Sequence, residues 1–208
     1  MARPRFQNLD EATRKKILET AAVEFAANGF DGTSLNQLIE SLGISKGSLY
    51  YYFDDKADLF ITVVDHAWSV LIPAEIVDVG DLSSETYWPT LEVMMGAARR
   101  LVRENPWTVG FTRLIYDPPE IPGIRDALSE RFEQARDWQA DLIRQGQRLG
   151  SVRDDLPIEL LQHLLIGADE AGDRWFVENW DHHTEEEIER FFTEVFVIFR
   201  RMMEPPTK

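Results

Sequence analysis

The run from Ser45 to Phe53 gathers chemical groups that can bind a nucleic acid. It offers hydroxyl donors, one lysine and apolar ring faces, and it contains no carboxylate that would repel phosphate. Leu49 and Phe53 lie four residues apart and would face inward on a helix. At about 100° per residue, Tyr50 and Tyr51 must then point well away from that pair. Two exposed tyrosines beside a lysine and two serines favour DNA recognition over a plain globular surface.

A second set of candidate groups lies among the C-terminal carboxylates. Asp169 and Asp173, four residues apart, would share one helical face with Glu170 beside them, and such a pair could bind a metal. Because Arg174 is adjacent, a salt-bridged surface explains the same residues. No His-x-x-x-His pair, glycine-rich phosphate loop or nucleophile elbow occurs. We therefore predict no catalytic residue, no metal and no cofactor, and keep an all-helical enzyme or metal-binding protein using this pair as the alternative.

Helical periodicity runs through nearly every long segment, and the alternation typical of strands is absent. Asn8 and Glu11 predict a capping box at the start of the first long helix, and Thr184 and Glu187 predict another at the start of the last. Residues 34–52 predict two short helices joined in a helix-turn-helix, where Gly43 permits the tight turn and Ile44 fills the gap.

Asp55 should cap the next helix, which ends before Pro73. Further helices are predicted near 85–104, 107–116, 121–149, 157–179 and 184–203. The expected fold is all-α with about nine helices. Residues 1–56 would form a helix-turn-helix DNA-binding domain, and residues 57–208 a second helical domain.

Composition and charge limit the class of protein. The chain contains no cysteine, which excludes disulfides and cysteine zinc sites, and it has no apolar run long enough to span a membrane. The N-terminus lacks an apolar signal-peptide core, so a bacterial cytoplasm is expected. The net charge is −15, yet residues 1–56 carry seven Lys/Arg against eight Asp/Glu. Most of the acid therefore lies C-terminally, which predicts weak non-specific DNA binding with marked salt sensitivity.

One extended pattern covers roughly residues 14–60. It consists of Ala21-Ala22-x-x-Phe25-Ala26-x-x-Gly29-Phe30-x-x-Thr33-Ser34, then Ile39, then Gly43-Ile44-Ser45-Lys46-Gly47-Ser48-Leu49-Tyr50-Tyr51-Tyr52-Phe53-x-x-Lys56-x-x-Leu59. This pattern resembles the tetracycline-repressor-like (TetR) family of transcriptional regulators. Beyond residue 60, only the number and lengths of the helices agree with that family.

The resemblance implies DNA-binding roles for nine residues. They are Thr33, Ser45, Lys46, Gly47, Ser48, Tyr50, Tyr51, Tyr52 and Lys56. Thr33 would contact a phosphate through its hydroxyl and nearby amides at a helix start, and Lys56 would clamp another phosphate. The remainder would belong to a recognition helix in the major groove. Thr33 and Ser45 could instead be helix caps alone, and Tyr52 could be mainly core.

The tail before this pattern carries Arg3 and Arg5. These two side chains could reach a minor groove, and a disordered tail is an equally good interpretation.

The resemblance also implies that residues 57–208 are a domain for effector binding and dimerisation, with an effector pocket inside it. The candidate residues of this pocket are Trp88, Trp107, Phe111, Trp138, Asp169, Asp173 and Phe176. The aspartates would favour a cationic or hydrogen-bonding effector, and the alternative is that the tryptophans simply fill core.

A wide apolar stripe on helix 184–203 and small residues at 167–172 indicate a homodimer through the last two helices, with a contact inside one chain as the alternative. The expected function is a transcriptional regulator, most simply a repressor. It would bind a near-palindromic double-stranded operator as a homodimer and be released by a small molecule.

Overall fold

The computed structural model describes residues 3–71, 79–116 and 118–206. These residues form ten α-helices and no strand, which confirms the all-α prediction. The helices are α1 (Pro4–Gln7), α2 (Glu11–Gly32), α3 (Leu35–Leu42), α4 (Lys46–Tyr52), α5 (Lys56–Leu71), α6 (Tyr87–Glu104), α7 (Trp107–Tyr116), α8 (Pro122–Arg148), α9 (Ile158–Asn179) and α10 (Glu185–Met203). Short 3₁₀ turns cover Val79–Asp81 and Trp180–His182. None of the described helices is long and apolar enough to cross a membrane.

The helix additional to the expected nine is α1, and the predicted ends of α3 to α10 lie within about two residues of those observed. Pro73, expected to follow the end of α5, lies outside the described residues. The chain divides into two compact units. Unit 1 comprises residues 1–73 and 102–131, and unit 2 comprises residues 74–101 and 132–208. The assignment of DNA binding to 1–56 and of effector binding to 57–208 concerns function and stays a prediction.

The N-terminus of α2 is capped by Asp10, so the predicted capping box at Asn8 and Glu11 is wrong. The Asp10 carboxylate accepts hydrogen bonds from the amide and the hydroxyl of Thr13, at 2.9 and 2.7 Å. These two bonds lower the pKa of the Asp10 carboxyl. Asn8 instead ends the preceding short helix α1.

The interior of unit 1 is a cluster of aromatic rings. Gly29 adopts a positive φ of 69° and bends the chain near the end of α2. The Phe30 ring folds back and stacks on Phe25 with a centroid distance of 6.0 Å. Phe60 of α5 meets both rings edge-on at 5.0 and 5.4 Å and also contacts Phe111 of α7 at 5.5 Å. These contacts hold α2, α5 and α7 together behind the helix-turn-helix.

Unit 2 has a separate buried cluster. Its members are Leu82, Tyr87, Leu142, Ile143, Val152, Leu161 and Met203. The Tyr87 hydroxyl donates to the backbone carbonyl of Leu142 at 3.1 Å, which satisfies the one polar group of a nearly inaccessible ring. The N-terminus of α10 shows the predicted capping box, in which Thr184 and Glu187 exchange hydrogen bonds with each other's backbone amides.

Candidate nucleic-acid interface

Helices α3 and α4 form the predicted helix-turn-helix. Gly43 lies in the left-handed region with φ 66° and ψ 28°, a conformation that an L side chain rarely adopts. The amides of Gly43 and Ile44 donate to the carbonyls of Glu40 and Ile39, at 3.1 and 3.2 Å. These bonds close the C-terminal end of α3 and set the direction in which the chain enters α4.

Ser45 caps α4. Its hydroxyl accepts a hydrogen bond from the Ser48 amide at 3.1 Å and lies 2.8 Å from the Ser48 hydroxyl. Both side chains are therefore ordered in the first turn of the helix. The capping role expected of Ser45 is confirmed, while Ser45 itself remains exposed and accessible to a partner.

The two faces of α4 differ in solvent exposure, as the spacing predicted. Leu49 and Phe53 are each only 2% exposed, whereas Tyr50 and Tyr51 are 42% and 48% exposed. The half-buried Tyr52 contacts both Phe6 and Tyr51, with centroid distances of 6.1 and 5.6 Å. Tyr52 is thus partly a packing residue.

The exposed surface of α4 carries a cation and no acid. Lys46 and Gly47 are exposed, and the Lys46 ammonium lies 6.0 Å from the centre of the Tyr50 ring. Its hydroxyl, ammonium and ring groups can contact phosphate oxygens, base edges and thymine methyl groups.

Thr33 does not present its hydroxyl to solvent. It is 3% exposed, and the hydroxyl donates to the carbonyls of Gly29 at 2.7 Å and Glu24 at 3.1 Å. Ser34 caps α3 by accepting from the Gln37 amide. The Thr33 hydroxyl therefore fixes the bend that follows α2 and is not presented to a phosphate, while a phosphate contact through the nearby amides stays a prediction.

Lys56 joins the first turn of α5 to the end of α2. Its ammonium donates to the carbonyls of Asp31 and Thr33, both at 3.2 Å, and lies 4.7 Å from the centre of the Phe30 ring. An ammonium has three N–H donors, so these two carbonyls leave one donor for a phosphate.

Sequence reasoning missed helix α1, which packs on α4. Phe6 is 1% exposed and meets Phe53 at a centroid distance of 4.8 Å. The Arg3 amide donates to the Tyr52 carbonyl, and its guanidinium donates to the Tyr50 carbonyl, each at 2.9 Å. The disordered-tail interpretation is therefore wrong. Pro4, favoured in the first turn of a helix, is the signal that could have predicted α1.

The residues predicted to line an effector pocket are divided between the two units. In unit 1, Phe111 is fully buried against Phe60. Trp107 stacks on His66 at 5.6 Å and donates its indole N–H to Glu19 at 3.2 Å. Both residues have packing roles in this unit.

In unit 2, Trp88 donates its indole N–H to the Ser151 carbonyl at 3.2 Å and packs against the buried cluster. Phe176 of α9 stacks on Phe192 of α10 with a centroid distance of 4.1 Å. The buried indole nitrogen of Trp138 meets no acceptor within the described residues. An unsatisfied buried donor costs roughly 1–3 kcal/mol. Trp138 is thus the tryptophan of this set whose indole N–H could donate a hydrogen bond to a ligand.

The aspartates of α9 influence each other. Although Asp169 as a residue is exposed, partial burial of its carboxyl group, and then the charge of Asp173, raise the pKa of that carboxyl. Glu170 pairs with Arg174 at 3.0 Å, as a salt-bridged surface would. Throughout the described part of the chain, no three His, Asp or Glu side chains are grouped to hold a metal ion.

Comparisons with known proteins agree with this geometry. Residues 17–63 match the family model described as bacterial regulatory proteins, tetR family. The chain is 27% identical over 152 residues to the HTH-type transcriptional repressor AcnR of Corynebacterium diphtheriae, an alignment that covers 73% of this chain and 74% of AcnR. It is 28% identical over 159 residues to the HTH-type transcriptional regulator SrpR of Pseudomonas putida, covering 76% and 70%.

Solved structures share the fold. FadR of Bacillus subtilis, a transcriptional regulator in complex with stearoyl-CoA, superposes with a TM-score of 0.74 at 17% identity, covering 89% of this chain and 96% of FadR. A putative tetR family regulator from Shewanella gives 0.64 at 26% identity, covering 92% and 97%. The chain is therefore similar to TetR-family transcriptional regulators, in the family model at residues 17–63 and over most of its length in these relatives.

Proposed function

We propose that this protein is a homodimeric repressor that binds a near-palindromic operator through α4 and releases it when a small molecule binds. The observation that carries this proposal is the surface of α4, where Lys46, Tyr50 and Tyr51 are exposed on a helix without a carboxylate. AcnR, a relative over most of its length, is named as a repressor, which favours the same sign of regulation here.

The first turn of α4 would read base edges, because the N-terminal residues of a recognition helix lie deepest in the major groove. Lys46 could donate to a guanine edge, and Gly47 would let the backbone approach closely. Tyr50 and Tyr51, further along the helix, suit phosphates and thymine methyl groups. Two copies would engage half-sites about 34–36 Å apart.

A homodimer through α9 and α10 is supported by the apolar side chains that α9 leaves uncovered in a single chain. The exposed members, spaced three or four residues apart along one face, are Leu160, Leu164, Gly167, Ala171 and Trp175. A Cβ added at Gly167 or at Gly172 would meet nothing within 4 Å. Close packing inside this chain therefore does not account for these glycines, and a partner helix would.

Helix α10 also leaves an apolar side chain uncovered, since Ile198 is 61% exposed.

To test the interface, sedimentation velocity would compare Ala171→Glu with Gln134→Glu, which adds the same charge on the exposed face of α8. We expect the first variant to dissociate and the second to remain a dimer. A wild-type monomer at micromolar concentration would contradict the dimer.

An effector would bind in unit 2. Trp138 has a buried indole N–H without an acceptor, and the raised pKa of Asp169 marks a carboxyl group that a cationic or hydrogen-bonding ligand could stabilise. FadR, which shares the fold, was solved with stearoyl-CoA, so acyl-CoA thioesters and hydrophobic cations form the first test panel. Quenching of tryptophan emission, diminished in Trp138→Phe but not in Trp175→Phe, would support effector binding at Trp138. A panel that neither changes emission nor weakens DNA binding would contradict it.

Selection of bound fragments from genomic DNA, followed by fluorescence anisotropy, tests operator binding directly. We expect a palindrome to be enriched and its affinity to fall on the order of tenfold or more in Lys46→Ala and in Tyr51→Ala. Arg136→Ala, which removes an exposed cation from unit 2, is the charge-matched control and should bind as wild type. No enrichment by a folded wild-type protein at low salt would contradict the proposed function.

A further inference from the structure

The two arginines of the N-terminal segment contact different groups. Arg3 is bound to the protein: it donates to the Tyr50 carbonyl at 2.9 Å and forms a salt bridge with Asp54. A guanidinium at these last carbonyls also complements the negative end of the α4 dipole. Arg3 is therefore occupied by the C-terminal end of α4 and is a positioning residue.

Arg5 makes a different contact and is exposed. Its guanidinium carbon lies 4.3 Å from the centre of the Tyr51 ring. In residues 3–71, no carboxylate forms a salt bridge with Arg5. Stacking uses the flat face of a guanidinium and leaves its N–H donors, which lie in the plane, free to point outward.

We propose that Arg5 is a further DNA-binding residue, which donates to a backbone phosphate of the operator while it is stacked on Tyr51. This inference rests on the proposed function, because it requires α4 to lie in the major groove. The chemistry is that of bidentate recognition, in which two parallel N–H groups meet two phosphate oxygens.

The segment is held in place before DNA arrives. Phe6, 1% exposed between α1 and α4, and the Arg3 bonds fix the backbone on both sides of Arg5. An arginine restrained in this way loses less conformational entropy on binding than one on a mobile tail.

A phosphate is favoured over a base because of where Arg5 stands along α4. Tyr51 is the last residue but one of α4, whereas base edges are read mainly from the N-terminal residues of a recognition helix. Side chains at the far end of the helix meet the sugar-phosphate backbone that borders the groove.

Salt dependence of operator binding tests the proposal. Each phosphate contact contributes about 0.9 to the slope of log K against log salt concentration, so Arg5→Ala should reduce the slope by about two in a dimer. Affinity should fall on the order of tenfold, equally for operator and mutated operator sequences. Arg136→Ala removes the same charge from unit 2 and should leave the slope unchanged.

Arg5→Lys should restore part of the slope, since it keeps the charge but loses the flat stacking surface. If Arg5→Ala binds within twofold of wild type with an unchanged slope, the phosphate contact is absent. If the variant instead changes preference at a single base pair, Arg5 reads a base and the proposal is overturned. Failure of the folded wild type to bind any operator would overturn the proposed function itself, an outcome separate from both.

Discussion

Unit 1 buries its phenylalanine rings and leaves a short helix with polar groups on its surface, whereas unit 2 leaves apolar side chains uncovered along α9. Phe25 and Phe60 are inaccessible in unit 1, while the exposed residues of α4 supply an ammonium, hydroxyls and ring edges. In unit 2, Leu164 and Trp175 remain more than two-fifths exposed. The two surfaces therefore suit partners of opposite chemistry: a polyanion for α4, and another apolar helix for α9.

Removing the central ring of unit 1 should have the largest effect. Phe60→Ala deletes contacts with Phe25, Phe30 and Phe111, so we expect the free energy of unfolding to fall by about 3–5 kcal/mol in chemical denaturation. Val23→Ala truncates a half-exposed side chain of α2 and should change it by less than about 0.5 kcal/mol. Equal stabilities for the two variants would show that the aromatic cluster does not hold unit 1 together.

The core of unit 2 should be sensitive to added volume. A Cβ at Gly146 would lie 2.7 Å from the Tyr87 ring and would also clash with Val152, so Gly146→Ala should destabilise the protein by about 1–3 kcal/mol. Gly123→Ala, in the same helix, meets nothing within 4 Å and should be neutral or slightly stabilising. Thermal unfolding of both variants checks the contrast, and matching midpoints would refute the close packing at Gly146.

Sequence reasoning succeeded where hydrogen bonds join residues three or four positions apart. The Ser45 cap, the left-handed Gly43 and the Thr184 capping box depend only on such local chemistry, so residue type and spacing predict them. The capping box predicted at Asn8 is wrong because residue type and spacing allow Asp10, two residues later, to cap the helix equally well. The short helix α1, which Asn8 ends, decides between the two.

The remaining features depend on residues that are distant in the chain. The acceptor of the Trp88 indole is Ser151, 63 positions away, and Arg3 meets Asp54 across 51 positions. No pattern in a single sequence fixes such pairs. The helix-turn-helix was therefore predictable in detail, whereas the surroundings of individual aromatic side chains in the rest of the chain were not.

The two roles considered for Ser45 can be separated by changing its charge. Ser45→Ala removes the cap of α4 and should cost about 1 kcal/mol of stability. Ser45→Asp keeps a good cap, so its stability should stay within about 0.5 kcal/mol of wild type, yet the new carboxylate should repel phosphate and abolish operator binding. Denaturation and anisotropy measured side by side check this. Undiminished binding by the aspartate variant would place the start of α4 away from DNA.

The smallest effect expected is a pH-dependent one in unit 2. Partial burial, and then the charge of Asp173, raise the pKa of the Asp169 carboxyl to about 7, so folding favours its protonated form. The contribution of this carboxyl to the free energy of unfolding is therefore fully present below the ordinary pKa near 4 and is lost as pH rises through about 7. Because the residue is exposed and screened by water, Asp169→Asn should stabilise the protein at pH 8 by less than about 1 kcal/mol, and by almost nothing at pH 4. Asp155→Asn should act in the opposite direction, since its bond from Arg153 lowers the pKa of the Asp155 carboxyl. Urea denaturation of both variants across this pH range, with the same sign for each, would show that Asp169 is an ordinary surface carboxylate.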